Sequence, residues 1–281
     1  MGRRIELSQE QIDTIIYNYV ILKKGLIPTG KAVGVSQKVV ERVLKENGIQ
    51  KRTYVEAKDT LRVYSVDDDY FKKQNHNMGY ILGFLAADGS IAKKENKISL
   101  LLKTEDEEIL EKIRQEVQST RQIKRYEGKY GTVSSFIVYS SSWKKDLSCY
   151  SIVPEKTFKL LAPEHLSKEY WLDYIRGFFD GDGSVSEANG TIQFKIGSAS
   201  KPILDWIRNF LANEYGICNK GLNYQKLDSE KDFWNLLYYG ENVRKLYQLL
   251  YKNPESLKMD RKYNKFTKLY EEKYPRDHIP N

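Results

Sequence analysis

The 281-residue chain has little of what several chemistries require. Its two cysteines, Cys149 and Cys218, are far apart and in no metal-ligand spacing, which leaves reduced core or surface thiols. Three scattered histidines, His76, His165 and His278, cannot assemble a zinc site or a histidine-based nuclease motif, and each is expected on the surface or in a loop. No stretch approaches the roughly 18 uninterrupted apolar residues of a membrane span, and the opening MGRRIELSQEQ lacks the apolar run of a secretion signal. The expected address is therefore intracellular, and cytoplasmic if the gene is bacterial or phage-borne. Negative charge is also scarce at the two ends. Residues 1–62 carry 12 Lys/Arg against 7 Asp/Glu and residues 244–281 carry 10 against 5, within a net charge of +8. Basic ends around a nearly neutral centre point to a polyanionic partner.

With 40% hydrophobic and 30% charged residues, the chain can bury one large or two modest cores. LSQEQIDTIIYNYV opens with Ser8 as a helix N-cap and sets Ile12, Ile15, Ile16 and Tyr19 on one face. IPTGKAVGVSQKVVERVLKENGI predicts a short helix, a turn at Gly34, and a second helix capped by Ser36 with Val39, Val40, Val43 and Leu44 inward. That is helix-turn-helix spacing. In such a unit the second helix enters the major groove, which makes Ser36, Gln37, Lys38 and Arg42 candidate DNA contacts. The alternative is a helical hairpin that only packs or binds protein.

Residues 53–75 show no sustained periodicity and read as a connector. Beyond them the chain runs twice through one order: helix, two strands, helix, two strands, helix. Such a repeat predicts two similar halves related by an approximate twofold axis. Each copy opens on an apolar helix ending in Asp-Gly, GYILGFLAADGSI and WLDYIRGFFDGDGSV, with Asp182 following Asp88 by 94 positions. Both helices carry small residues four apart, Gly83 with Ala87 and Gly177 with Gly181, so two backbones can approach closely. The glycines that follow, Gly89 and Gly183, are expected to be the left-handed residues that end each helix. A carboxylate at the negative pole of a helix calls for a positive neighbour. If the stripes face each other, Asp88 and Asp182 converge, and hard oxygen ligands of this kind suit Mg²⁺ and phosphodiester hydrolysis. A calcium loop is ruled out, because DGDGS would need Gly and Glu where Val185 and Thr191 stand.

These residues resemble the LAGLIDADG homing endonucleases. The signature aligns with ILGFLAADG (Ile81 to Gly89) and IRGFFDGDG (Ile175 to Gly183), and two copies in one chain resemble the monomeric branch. The resemblance implies an α+β fold: a duplicated αββαββα core with pseudo-twofold symmetry, two saddle-forming antiparallel sheets, and the small all-α helix-turn-helix domain before it. The expected domains are 1–55, a linker 56–76, halves at 77–164 and 165–255, and a basic tail 256–281. The last motif aspartates, Asp88 and Asp182, are implied as catalytic metal ligands, with Ala87 and Gly181 beside them. The cofactor is Mg²⁺, with Mn²⁺ substituting. The first copy departs from the signature where Ala86 replaces an Asp that the second copy keeps as Asp180.

Alternation in KISLLLK and TIQFKIG gives each sheet one apolar and one polar face. The helix EDEEILEKIRQEV, with six acids against two bases, belongs away from DNA, whereas 121–131 carries four bases against one acid. The expected DNA-facing residues are Lys97, Ser99, Gln122, Lys124, Tyr126, Ser184, Ser186, Thr191, Gln193, Asn223 and Gln225. Lys103 and Lys195, expected at matching places in the two copies, are candidates to polarise water or stabilise the transition state. The 21 tyrosines are expected in cores and sheet faces. The implied activity is a double-strand break with short 3′ overhangs in a long asymmetric duplex site, promoting intron or element mobility. The termini MGRR and HIPN are read as those of an intron-encoded or free-standing enzyme, with no splicing residues. The rivals are a non-cleaving DNA-binding regulator on the same scaffold and an intron RNA-splicing maturase.

Overall fold

The computed structural model describes residues 5–53, 56–57, 63–128, 131–226, 232–253 and 255–275. The chain divides into two compact units, residues 1–63 and 64–281. Among the described residues no helix is long and apolar enough to cross a membrane.

Unit 64–281 is organised around helices α4 (His76–Asp88) and α7 (Trp171–Asp182). Asn75 caps α4 by accepting from the Met78 amide at 2.8 Å. Residues 78–86 and 173–180 are buried, as expected of helices apolar nearly all round. The two cross at glycines. A Cβ on Gly83 would collide with the Tyr174 carbonyl, and one on Gly177 with the Tyr80 carbonyl. The predicted stripe thus exists as a backbone-to-backbone contact.

Each helix runs directly into a four-stranded antiparallel sheet. The first contains β1 (Gly89–Ile91), β2 (Lys97–Lys103), β3 (Lys124–Gly128) and β4 (Gly131–Tyr139) in the order β1-β2-β4-β3. The second contains β5 (Gly183–Ala188), β6 (Thr191–Ser198), β7 (Asn223–Lys226) and β8 (Asp232–Tyr239) in the order β5-β6-β8-β7. Ile98, Leu100, Phe136 and Val138 fill the inner face of one, and Ile192, Phe194, Ile196, Leu236 and Tyr238 that of the other. Helix α5 (Glu107–Glu116) packs Ile109, Leu110 and Ile113 on the first sheet, and α8 (Lys201–Tyr215) packs Ile203, Leu204, Ile207 and Leu211 on the second. Helices α6 (Ser141–Cys149) and α9 (Glu241–Leu250) close the copies. The fold is α+β and duplicated, with two saddle-forming sheets.

Three expectations change. Gly89 and Gly183 are extended, with φ of −70° and −98°, and are not left-handed. Glycine is needed there because a Cβ would strike the Leu85 and Phe179 carbonyls as each chain leaves its helix for a strand. Lys103 and Lys195 are not equivalent. Gly89 pairs with Leu100 and Gly183 with Ile196, so Lys195 precedes its reference position by one residue and Lys103 follows its own by three. Both are expected at matching strand ends, but β2 ends at Lys103 whereas β6 runs three residues past Lys195 to Ser198. The connector is not wholly irregular either. Its described part includes a 3₁₀ turn, Tyr70–Lys72, which buries Tyr70 and Phe71 beside Trp143.

The terminal stretch forms α10 (Asp260–Lys273), which buries Phe266 and Tyr270 against Phe179 and Tyr247. Residues 276–281, which include His278, lie outside the described residues.

In unit 1–63, Ser8 and Gln11 form a reciprocal capping box at the start of α1 (Gln9–Ile16), which continues as a π-helical turn, Tyr17–Ile21. Helix α2 (Leu26–Val33) ends at left-handed Gly34, and α3 (Gln37–Glu46) follows. Ile15, Tyr19, Val40, Val43 and Leu44 form the core. Ser36 is the N-cap residue of α3 but makes no side-chain capping bond.

Candidate metal and nucleic-acid site

The C-terminal ends of α4 and α7 bring Asp88 and Asp182 together. A Cβ on Gly181 would lie 3.3 Å from Asp88 Oδ2, so the Asp88 carboxylate rests against the α7 backbone one residue before Asp182. Asp88 is half-buried and Asp182 is exposed. Although Asp182 opens to solvent, protein closes around the cleft floor. Desolvation and the neighbouring Asp88 carboxylate push its pKa up to about 6. Desolvation also raises that of Asp88.

Two lysines oppose this accumulated negative charge. Lys156, almost fully buried, donates from Nζ to the Ala87 carbonyl at 2.9 Å, at the end of α4. Lys262, from the first turn of α10, donates to the carbonyls of Phe179, Asp180, Gly181 and Gly183 at 3.1, 2.6, 3.0 and 2.7 Å. Each thus caps one motif helix at its negative pole. Burial lowers both ammonium pKa values, while Asp88 and Asp182 pull them back up. Neither lysine lies in a sequence motif. The available signal is that each follows the closing helix of its own copy, at the start of a 3₁₀ turn (Lys156–Phe158) for Lys156 and in the basic tail for Lys262.

The donor set fits a divalent ion of the Mg²⁺ type. Two facing carboxylates offer hard oxygens, and among the described residues no group of three His, Cys, Asp or Glu could complete a cage. Mg²⁺ ordinarily keeps several waters and takes one or two carboxylates plus substrate phosphate. An open cleft of about 260 Å³ beside Asp182, lined by Ala87, Lys156, Ser198 and Phe233 among others, has room for such a hydration shell at roughly 30 Å³ per water. The Ala87 and Gly181 carbonyls, expected beside the metal, each accept from a lysine.

The LAGLIDADG-like domain family matches residues 75–146 and 169–251. The chain belongs to the LAGLIDADG family. Among curated relatives, the uncharacterized protein MJ0314 of Methanocaldococcus jannaschii is 25% identical over 207 residues, 66% of this chain and 72% of that protein. DNA-directed RNA polymerase subunit Rpo1C of the same organism is 32% identical over 160 residues, 54% of this chain, and the match spans 18% of that subunit. Among solved structures, the I-LtrWI LAGLIDADG homing endonuclease bound to target DNA aligns at 13% identity and a TM-score of 0.44, covering 75% of this chain and 93% of that one. The N-terminal LAGLIDADG domain of DUF199/WhiA aligns at 13% identity and 0.43, covering 72% and 94%.

The outer faces of the two LAGLIDADG sheets collect most of the expected DNA-facing residues. On the first, the registers set Lys97 beside Tyr139, and Lys124 and Tyr126 beside Ser135 and Val133. Ser99, expected to face DNA, pairs with Ile137 but is buried under its neighbours, so it is not open to a duplex. On the second, Ser184, Ser186, Thr191, Gln193, Asn223 and Gln225 share a face with Lys195. Gln193 donates to the Tyr239 hydroxyl at 2.6 Å. Gln122 is exposed but precedes β3 and belongs to no strand face. Leu101, Tyr126, Tyr139 and Tyr239 remain exposed there, so part of the tyrosine complement is on the open face and not in cores. In unit 1–63, Ser36, Gln37 and Lys38 are exposed at the start of α3. Arg42 instead donates to the Ile5 carbonyl at 2.6 Å, holding the segment before α1.

Proposed function

We propose that the chain is a site-specific, divalent-metal-dependent DNA endonuclease that cuts one phosphodiester in each strand across the minor groove and leaves short 3′ overhangs. The observation that carries this reading is the meeting of Asp88 and Asp182 at the feet of two crossed helices, each foot capped by a lysine, buried Lys156 on one and half-buried Lys262 on the other. When bound, the ions, Mg²⁺ or Mn²⁺, supply water activation and stabilise the leaving oxygen. Asp88 and Asp182 would hold the ions, and the neighbouring Ala87 and Gly181 carbonyls accept from Lys156 and Lys262. Lys156 and Lys262 lower the negative potential of the floor, so a phosphodiester can approach two carboxylates without prohibitive repulsion. Lys195, paired with Ser184 two residues past Asp182, is placed to polarise water, whereas Lys103 contacts backbone phosphate farther along β2. The outer faces of the sheets grip the duplex through Lys97, Lys124, Tyr126, Ser184, Ser186, Thr191, Gln193, Asn223 and Gln225, with Gln122 beside them. Unit 1–63 acts as a helix-turn-helix reader through Ser36, Gln37 and Lys38. The break promotes movement of the element that carries the gene.

The test is cleavage of duplex DNA containing the sequence that flanks the gene, with Mg²⁺. The parent is expected to linearise it. Asp88→Asn and Asp182→Asn should each lose at least about 100-fold, the size of effect that follows removal of one transition-state-stabilising group. A parent that binds the duplex without cutting it would favour a regulator on the same scaffold. Mutant rates equal to the parent's would remove the aspartates from the mechanism.

A further inference from the structure

Lys262 reaches the cleft floor from a segment that the first half holds in place. Residues 257–262 belong by sequence to the second copy, and part of their anchorage is local. Arg176 Nε donates to the Leu257 carbonyl at 2.9 Å, and the Met259 amide donates to Asp180 Oδ2 at 2.8 Å. The charged contacts, however, cross to the other copy. Arg261 makes a bidentate pair with Asp106, Nε to Oδ1 at 2.7 Å and an Nη to Oδ2 at 2.8 Å, and Asp106 is itself nearly buried. Lys112 of α5 donates to both oxygens of Asp260 at 2.9 and 3.0 Å. The residue after this double clasp is Lys262, whose ammonium holds three α7 carbonyls and that of Gly183, and faces Asp88 and Asp182. Beside Lys156, by contrast, the ion pair among the described residues is Glu155 with exposed Lys93, both within the first half.

We propose that Asp106–Arg261, backed by Lys112–Asp260, is a positioning device that sets the Lys262 ammonium beneath the two aspartates. It makes the second copy's lysine dependent on docking of the first copy. Arg261 and Asp106 act through Lys262 and touch neither metal nor DNA. The inference rests on the endonuclease reading for its kinetic consequence and on the geometry alone for its structural one. A bidentate guanidinium fixes both direction and distance, which a lone ammonium would not, so the α10 N-terminus is held at one angle to the floor.

The experiment is a double-mutant cycle on the full chain. Arg261→Gln is expected to slow single-turnover cleavage by about 10- to 100-fold, the scale of a misplaced group of roughly 1 Å, with duplex affinity within about threefold of the parent. Arg261→Lys should recover part of that loss. Lys262→Met should lose at least as much, and Arg261→Gln combined with Lys262→Met should be no slower than Lys262→Met alone, because both act through one group. Multiplying losses, or an Arg261→Gln rate equal to the parent's, overturn the proposal while leaving the endonuclease reading intact. Amide hydrogen exchange of the metal-free chain reads the device without activity. Arg261→Gln should speed exchange at residues 259–264 and in the last turn of α7, and unchanged exchange there overturns it. If the parent cuts no duplex but exchange responds as stated, the positioning device stands and the endonuclease reading falls.

Discussion

The asymmetry between Ala86 and Asp180 shows what single residues contribute. Asp180 is buried, and its Oδ2 accepts from the Tyr80 hydroxyl at 2.7 Å and from the Met259 amide. It therefore anchors the segment leading into α10, and the first copy, with Ala86, has no matching anchor. Asp180→Ala should cost about 1–3 kcal/mol in urea unfolding, since the Met259 amide and Tyr80 hydroxyl lose a buried acceptor. Burial raises the Asp180 pKa to about 6 as well, but Asp182, among the described residues, lacks such hydrogen-bond donors to compensate. Its folded pKa of about 6 stands above its ordinary carboxylate value, so protonation favours the native state at low pH. That contribution is complete below the unfolded pKa and is lost as pH rises through about 6. Without metal, Asp182→Asn should therefore melt higher than the parent at pH 7–8 and no higher at pH 4. Added Mg²⁺ should raise the parent's melting temperature more than the variant's. The aspartates were legible in the sequence because a repeated motif marks them. Lys156 and Lys262 were not, because a capping lysine is recognised only from the carbonyls it meets, and those lie 69 and 79 to 83 positions away in the chain.

Elements are governed by close approach. The α4–α7 crossing depends on two missing side chains, and Gly83→Ala or Gly177→Ala drives a Cβ into a partner's carbonyl. Each should cost about 1–3 kcal/mol or more by urea unfolding, because rigid backbone and not a flexible side chain must yield. The double variant should cost less than the sum, since one separation of the helices relieves both clashes. Helix and strand order was legible from periodicity, and the open sheet faces from alternation. The role of Gly89 and Gly183 was not, because a left-handed cap and a steric exit both select glycine. The equivalence of Lys103 and Lys195 failed because strand ends are not marked by alternation alone: β2 stops at Lys103, while β6 continues through Gly197 and Ser198.

The whole molecule carries a net charge of +8, with basic ends that composition made plain. If the outer sheet faces and unit 1–63 hold phosphate as proposed, duplex affinity should fall linearly on a log–log plot against salt, by about 0.9 per phosphate contact. Lys97→Ala or Lys124→Ala should each reduce that slope by about one. Deleting residues 1–63 should weaken binding and leave residues 64–281 folded, because each unit has its own buried cluster. The central claim is that the paired feet of α4 and α7 hold the hydrolytic ions. Anomalous scattering from Mn²⁺ in crystals of the chain on its duplex tests it most directly. The account predicts density between the Asp88 and Asp182 carboxylates that vanishes in Asp182→Asn; no peak there, or a peak unaffected by that substitution, would contradict it.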